Sequence, residues 1–146
     1  MGTRRISDRS VTTLLVVDDV RVREAMKELL SAAAGFRLVA AVADPGEAVE
    51  QAVRHAPDIA IVDLWSTPDE VSRGLNVVTA LCHHQVAVLA LTPRERVGVL
   101  ALKAGAAAFV DKGRGPDEVL EAARSVAGAR GGVLTSPHRE IQADAE

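Results

Sequence analysis

Leu14-Leu15-Val16-Val17-Asp18-Asp19 is the stretch that decides the fold. Four apolar residues in a row run into two adjacent carboxylates. A run this short and continuous, flanked by turn signals, marks a strand buried on both faces, not an alternating, half-solvated one. The pattern recurs: Ile59-Ala60-Ile61-Val62 runs into Asp63, and Ala107-Ala108-Phe109-Val110 into Asp111 and Lys112. Such strands belong to parallel sheets, whose carboxyl ends share one edge where ligands bind. Asp18, Asp19, Asp63 and the ammonium of Lys112 should therefore meet in one crevice. Three carboxylates this close repel unless a cation sits among them or some are protonated. A hard divalent cation, most simply Mg²⁺, suits such an oxygen-rich set.

Outward from these runs the period changes from strand to helix. Five strands are expected: Leu14–Val17, Leu38–Val42, Ile59–Val62, Val86–Leu91 and Ala107–Val110. Val22, Ala25, Met26, Leu29, Leu30 and Ala33 form one helical stripe, ended near Gly35. Asp44-Pro45 opens a second helix with Ala48, Ala52 and Val53 facing inward, and Pro57 stops it. Leu75, Val78 and Leu81 mark a third helix that His83-His84 ends. Pro116-Asp117-Glu118 opens the last, with Val119, Ala123 and Val126 inward. Strand and helix alternating five times implies right-handed crossovers and a parallel sheet. The expected fold is α/β: a single flavodoxin-like (βα)5 domain, helices on both faces, strand order 2-1-3-4-5. Residues 1–11 and 135–146 lack periodicity and are expected to be flexible tails, the latter ending the domain or starting a linker, which leaves 12–134 as the domain.

Composition narrows the function classes. Hydrophobic residues make up 48% and charged ones 25% of 146, enough for one domain with a real core. A net charge of −3 and 2% aromatics argue against a nucleic-acid surface. The single Cys82 excludes an internal disulfide and fits a reducing compartment. Arg4, Arg5 and Arg9 precede an apolar stretch that ends on two carboxylates, unlike a secretory leader, and no run is long enough to span a bilayer. A cytoplasmic protein without membrane attachment is expected.

Four segments taken in order resemble the receiver domain of bacterial two-component response regulators, over roughly Thr12 to Leu134. They are Leu-Leu-Val-Val-Asp-Asp (14–19), Pro-Asp-Ile-Ala-Ile-Val-Asp-Leu (57–64), Ala-Leu-Thr (90–92) and Gly-Ala-Ala-Ala-Phe-Val-Asp-Lys (105–112). The resemblance implies roles. Asp63 would accept a phosphoryl group from the phosphohistidine of a sensor histidine kinase. Asp19, Asp63 and the backbone carbonyl of Trp65 would hold Mg²⁺ directly, with Asp18 acting through water. Lys112 and the Thr92 hydroxyl would each meet a phosphoryl oxygen, and Phe109 would be the aromatic that moves with Thr92. The output face would be the fourth helix, fifth strand and fifth helix, roughly Arg94 to Gly128. Charges of both signs there, among them Arg94, Glu95, Lys103, Glu118 and Arg124, suit phosphorylation-dependent dimerisation or a downstream protein partner better than nucleic acid. The chain would be a switch, not a turnover enzyme.

Some features depart from that family's pattern. Pro68 stands one residue further from Asp63 than usual, and Gly74 three further. The turn after Asp19 is about one residue short, and Thr92–Gly105 about two. Val20 replaces a polar residue, Pro93 follows Thr92, and Gly113 stands where many members carry a cis proline. These departures keep open a pseudo-receiver that acts by protein contacts without phosphorylation. A small metal-dependent phosphohydrolase would want a second aspartate soon after Asp63, and Leu64-Trp65-Ser66-Thr67 offers none. Leu91-Thr92-Pro93-Arg94-Glu95-Arg96 imitates the opening of a helix-turn-helix, but it runs straight into 105–112 and is read as a strand end and helix. A receiver half of a longer DNA-binding regulator remains an alternative. Individually, Asp18-Asp19 could cap a helix, Thr92 could bond backbone, Phe109 could be core, and Cys82 is expected to be a buried helix residue. Trp65 is expected to be half exposed.

Overall fold

The computed structural model describes residues 10–65 and 67–130. Residues 1–9, the domain's expected end at 131–134 and the expected tail 135–146 lie outside the described residues. The chain runs β1 (Val11–Val16), α1 (Val20–Ala32), β2 (Phe36–Val42), α2 (Pro45–His55), β3 (Ile59–Asp63), α3 (Pro68–His83), β4 (Ala87–Thr92), α4 (Glu95–Ala104), β5 (Ala108–Asp111) and α5 (Pro116–Arg130), with a single 3-10 turn at Lys112–Arg114. All pairings are parallel, in the order β2-β1-β3-β4-β5. This is the flavodoxin-like fold expected from the alternation.

Alternation within the apolar runs sorts the core into two layers. Leu14 and Val16 point to one face, with Ala60, Val62, Val88 and the inner residues of α2, α3 and α4. Leu15 and Val17 point to the other, with Ile59, Ile61, Leu89 and the inner residues of α5 and Leu30 of α1. Leu14, Leu15, Ile59, Ile61 and Leu89 are fully buried, each contributing roughly 2 kcal/mol of transfer from water. With both faces covered, the strand ends are the sheet's exposed boundary, and functional groups collect there.

Differences from the expected elements follow from how much sheet lies under each one. β1 starts at Val11, inside the expected tail, because its amide donates to the Gly35 carbonyl (2.7 Å) and the residue pairs with Phe36. α1 lies chiefly against the edge strand β2, so of its stripe only Leu30 is fully buried, while Val22 and Ala25 are exposed. Val53, expected inward, is 63% exposed: α2 buries Ala48 and Ala52 one turn apart, and the next residue rotates out. Cys82 is corrected in the same way. Leu81 faces the core, so Cys82 turns outward and is exposed, its thiol donating to the Gly105 carbonyl at 3.2 Å. α2 opens as expected, with the Asp44 carboxylate accepting from the Glu47 amide and Pro45 in the first turn.

A loop of residues 64–67 joins β3 to α3. The Leu64 side chain is buried against Gly74, where a Cβ would lie 2.2 Å from a Leu64 methyl. A bare backbone at 74 is what lets Leu64, and Trp65 after it, sit at the strand end. Thr67 caps α3, its hydroxyl accepting from the Glu70 amide and donating to the Glu70 carboxylate (2.6 Å). The helix-turn-helix lookalike is the end of β4 followed by α4.

Candidate functional site

Parallel pairing brings the carboxyl ends of β1, β3, β4 and β5 to one edge, and the expected residues arrive with them. Asp63 ends β3 with its side chain only 2% exposed. Lys112, in the 3-10 turn after β5, reaches across β4 and places Nζ 2.7 Å from Asp63 Oδ1. The second carboxylate oxygen, Asp63 Oδ2, is buried without a hydrogen-bond partner among the described residues. So is the hydroxyl of Thr92, which ends β4 and is completely buried. Orphaned buried acceptors and donors are costly, and two facing one strand edge mark a place built for a ligand.

Burial pushes the Asp63 carboxyl above its ordinary value of 3.8. The hydrogen bond and charge of Lys112 pull it back, and the nearby charges of Asp19 and Asp18 push it up again. The crevice therefore holds more negative charge than Lys112 neutralises.

The acid pair after β1 divides its work. Asp19 caps α1, its Oδ1 accepting from the amides of Arg21 (2.8 Å) and Val22 (3.2 Å). This is the helix-capping reading, and both bonds fall on one oxygen of the carboxylate. Asp18 is exposed and lines, with Asp63, Trp65, Asp44, Glu70 and Arg73, a cleft of about 230 Å³. Among the described residues no three His, Cys, Asp or Glu side chains form a ready-made metal cage. The orphaned Asp63 Oδ2 and the surplus negative charge fit Mg²⁺ nonetheless, because that ion keeps several waters and takes few protein ligands.

Trp65 is half buried, as expected, but its ring has an unforeseen place. The Lys112 ammonium lies 4.3 Å from its centroid, and its indole nitrogen is buried without a partner among the described residues. Asp63, Lys112 and Trp65 thus form one stack. Phe109, expected in the core, is partly buried, packed against the α2–α4 layer. Arg23 was missed: its guanidinium donates to the carbonyls of Val17 (2.8 Å) and Asp18 (3.2 Å), fastening the short turn that carries both acids. The signal was a basic residue one turn after the helix cap. Arg124, expected on the output face, turns instead to the α1–β2 junction, over the Phe36 ring and towards the Ala34 carbonyl.

The chain and its topology have known counterparts. The profile of the response regulator receiver domain matches residues 13–124. The chain belongs to the response regulator receiver family. A protein-glutamate methylesterase/protein-glutamine glutaminase of Anaeromyxobacter dehalogenans is 32% identical over 126 residues, covering 81% of this chain and 33% of that protein. A second such enzyme of the same organism is 29% identical over 105 residues and 31% covered. The chain thus spans about a third of the length of these relatives. Among solved structures, a two-component response regulator of the LuxR family from Aurantimonas is 26% identical with a TM-score of 0.74, 93% of this chain and 97% of that one being covered. The response regulator domain of Thermotoga maritima CheB shares the fold at a TM-score of 0.72 and 23% identity, covering 82% of this chain and 98% of that domain. This receiver has no helix among the described residues long and apolar enough to cross a membrane.

Proposed function

We propose that this receiver is a phosphoacceptor switch of the cytoplasm: Asp63 takes a phosphoryl group from the phosphohistidine of a sensor histidine kinase, and the α4–β5–α5 face responds. One observation carries the reading. A buried carboxylate sits on a lysine with its other oxygen lacking a partner among the described residues, and the threonine hydroxyl that ends the neighbouring strand lacks one too. An Asp63 oxygen attacks phosphorus in line, the phosphorus–nitrogen bond breaks, and the imidazole leaves. Lys112 meets the charge on the transferred group, and the Thr92 hydroxyl donates to another of its oxygens. Asp19, Asp63 and the Trp65 carbonyl would hold Mg²⁺, with Asp18 through water, and the ion supplies further neutralisation of phosphoryl charge. The chain acts as a switch and turns over no substrate of its own. Incubation with acetyl phosphate and Mg²⁺ should add one phosphoryl group by intact mass. No adduct, together with no thermal shift in beryllofluoride, would favour the pseudo-receiver that works by contacts alone.

Mg²⁺ binding has its own readout. Trp65 is the sole tryptophan and lies on Lys112, so Mg²⁺ should change its emission with a dissociation constant in the millimolar range. Asp19→Ala should abolish the response. Emission that stays flat in the wild type, with no binding by calorimetry, would remove the metal site.

The response should reach a protein partner, most simply a second copy. Drawing the Thr92 hydroxyl to the phosphoryl group moves the start of α4, since Pro93 restricts Thr92 to extended backbone. Phosphorylated protein should double in mass by light scattering, and Thr92→Ala should remain monomeric while Asp63 still labels. Unchanged mass in the phosphorylated wild type would replace the dimer with a different downstream protein.

A further inference from the structure

We propose, on the Mg²⁺ reading of the crevice, that Arg23 is a positioning residue for the cation: it touches no metal and sets how tightly Asp18 and Asp19 hold one. Arg23 fastens three consecutive carbonyls of the turn that carries both acids. Its Nη1 donates to the carbonyls of Val17 (2.8 Å) and Asp18 (3.2 Å). Its own amide donates to the carbonyl of Asp19 (2.9 Å). β1 ends at Val16, so all three carbonyls lie beyond the strand. On the other side the Val17 amide donates to the Val42 carbonyl of β2 (2.9 Å). The chain from Val17 to Asp19 is thus tied down by its backbone, while Asp18 lines the cleft with Asp63.

An arginine at this point runs against the helix it belongs to. Arg21 and Arg23 stand among the first four residues of α1, where the helix dipole disfavours positive charge. α1 has no acidic residue in its first turn, whereas α2, α3, α4 and α5 all do. A guanidinium bonds a carboxylate more strongly than a carbonyl. Among the described residues Arg23 nonetheless pairs with no carboxylate and spends its donors on carbonyls. What this supplies is a brace. Asp18, Asp19 and Asp63 repel one another, and the first two push the Asp63 carboxyl up. A turn free to relax would spread them, and a spread set cannot share one small ion that demands near-octahedral geometry. Bonds to consecutive carbonyls resist that spreading and consume no carboxylate oxygen. The charge of Arg23 acts in the opposite sense, since a cation beside the crevice repels Mg²⁺. Brace and charge therefore predict opposite signs when Arg23 is removed.

Mg²⁺ titration of the whole chain, read by calorimetry and by Trp65 emission, decides between them. In Arg23→Ala the dissociation constant should rise about tenfold, the usual effect of losing a group that orients metal ligands. Asp63 labelling by acetyl phosphate should need correspondingly more Mg²⁺ for its half-maximal rate, with the rate at saturating Mg²⁺ within about twofold of the wild type. Arg23→Lys keeps the charge but replaces the planar fork with a single ammonium, so it should recover only part of the affinity. An unchanged dissociation constant in Arg23→Ala, even beside a lower melting temperature, would make Arg23 a purely structural residue and overturn the brace. Tighter binding would show that only its charge matters, and overturns the brace as well. Should Arg23→Ala not fold, Arg23→Lys decides alone: weaker Mg²⁺ binding supports the brace, and equal affinity overturns it. A wild type that binds no Mg²⁺ removes the metal reading and the brace together. A wild type and a variant that bind equally remove the brace alone.

Discussion

Asparagine in place of Asp63 is expected to abolish phosphoryl uptake and, in metal-free protein at neutral pH, to make the fold more stable. The loss of uptake should be complete by intact mass, because a neutral amide lacks the nucleophilic oxygen. The gain in stability follows from burial. The Asp63 carboxyl is held above its ordinary value of 3.8, chiefly by desolvation and only partly relieved by Lys112. A carboxyl raised by folding contributes stability only below its unfolded pKa. That contribution is lost as pH rises from about 3.8 through the raised folded value, so at pH 7 the ionised group costs free energy. Removing the charge should return about 1 kcal/mol, or roughly 3 °C in melting temperature for a domain of this size. The gain should shrink as pH falls through the raised folded value, where the wild-type carboxyl takes up a proton. Mg²⁺ should reverse the ranking by binding the wild type and not the variant. Melting curves across pH, with and without Mg²⁺, measure all three effects. An Asp63→Asn protein less stable at pH 7 would mean that the pair with Lys112 outweighs burial, and residual labelling would move the acceptor to Asp18 or Asp19.

The readable part of this molecule was whatever depends on one strand at a time. Leu14–Val17 and Ile59–Val62 announce burial on both faces by composition alone, and from that the parallel sheet and the shared edge follow. Asp63 and Lys112 were legible for the same reason: each ends a strand or follows one directly, so topology places it, whereas Thr92 was singled out only by the family resemblance. What stayed hidden depends on two elements meeting across a loop. Periodicity puts Val53 and Cys82 within a helix but does not say how wide a stripe the sheet covers, so both came out exposed. The dual standing of Asp19, capping α1 with one oxygen beside the crevice, needs the geometry of the turn. The Trp65 ring over Lys112 and Leu64 against Gly74 are both contacts between elements separated by a loop, which no single strand announces. Gly98 under Phe109 is a contact between α4 and β5 that no spacing encodes.

The last expectation concerns the partner that makes a buried Asp63 tolerable. Lys112→Met keeps the length and most of the apolar stem but removes the ammonium 2.7 Å from Asp63. It leaves a carboxylate buried without a counter-charge, beside Asp18 and Asp19, and breaking such a pair costs about 3 kcal/mol. The cost should be largest at neutral pH and should shrink as pH falls. Without Lys112 the Asp63 carboxyl rises further and takes up a proton sooner, which neutralises the stranded charge. The phosphoryl transfer rate should fall about 100-fold, since the developing charge loses a positioned cation. Trp65 emission should change as well, the cation having left its ring. A double-mutant cycle separates the causes. In the Asp63→Asn background Lys112→Met should cost close to nothing, because no buried charge remains to be stranded. An equal cost in both backgrounds would show that Lys112 stabilises the fold through Trp65 and not through Asp63, and the stack would then be a structural clamp with the carboxylate as a bystander.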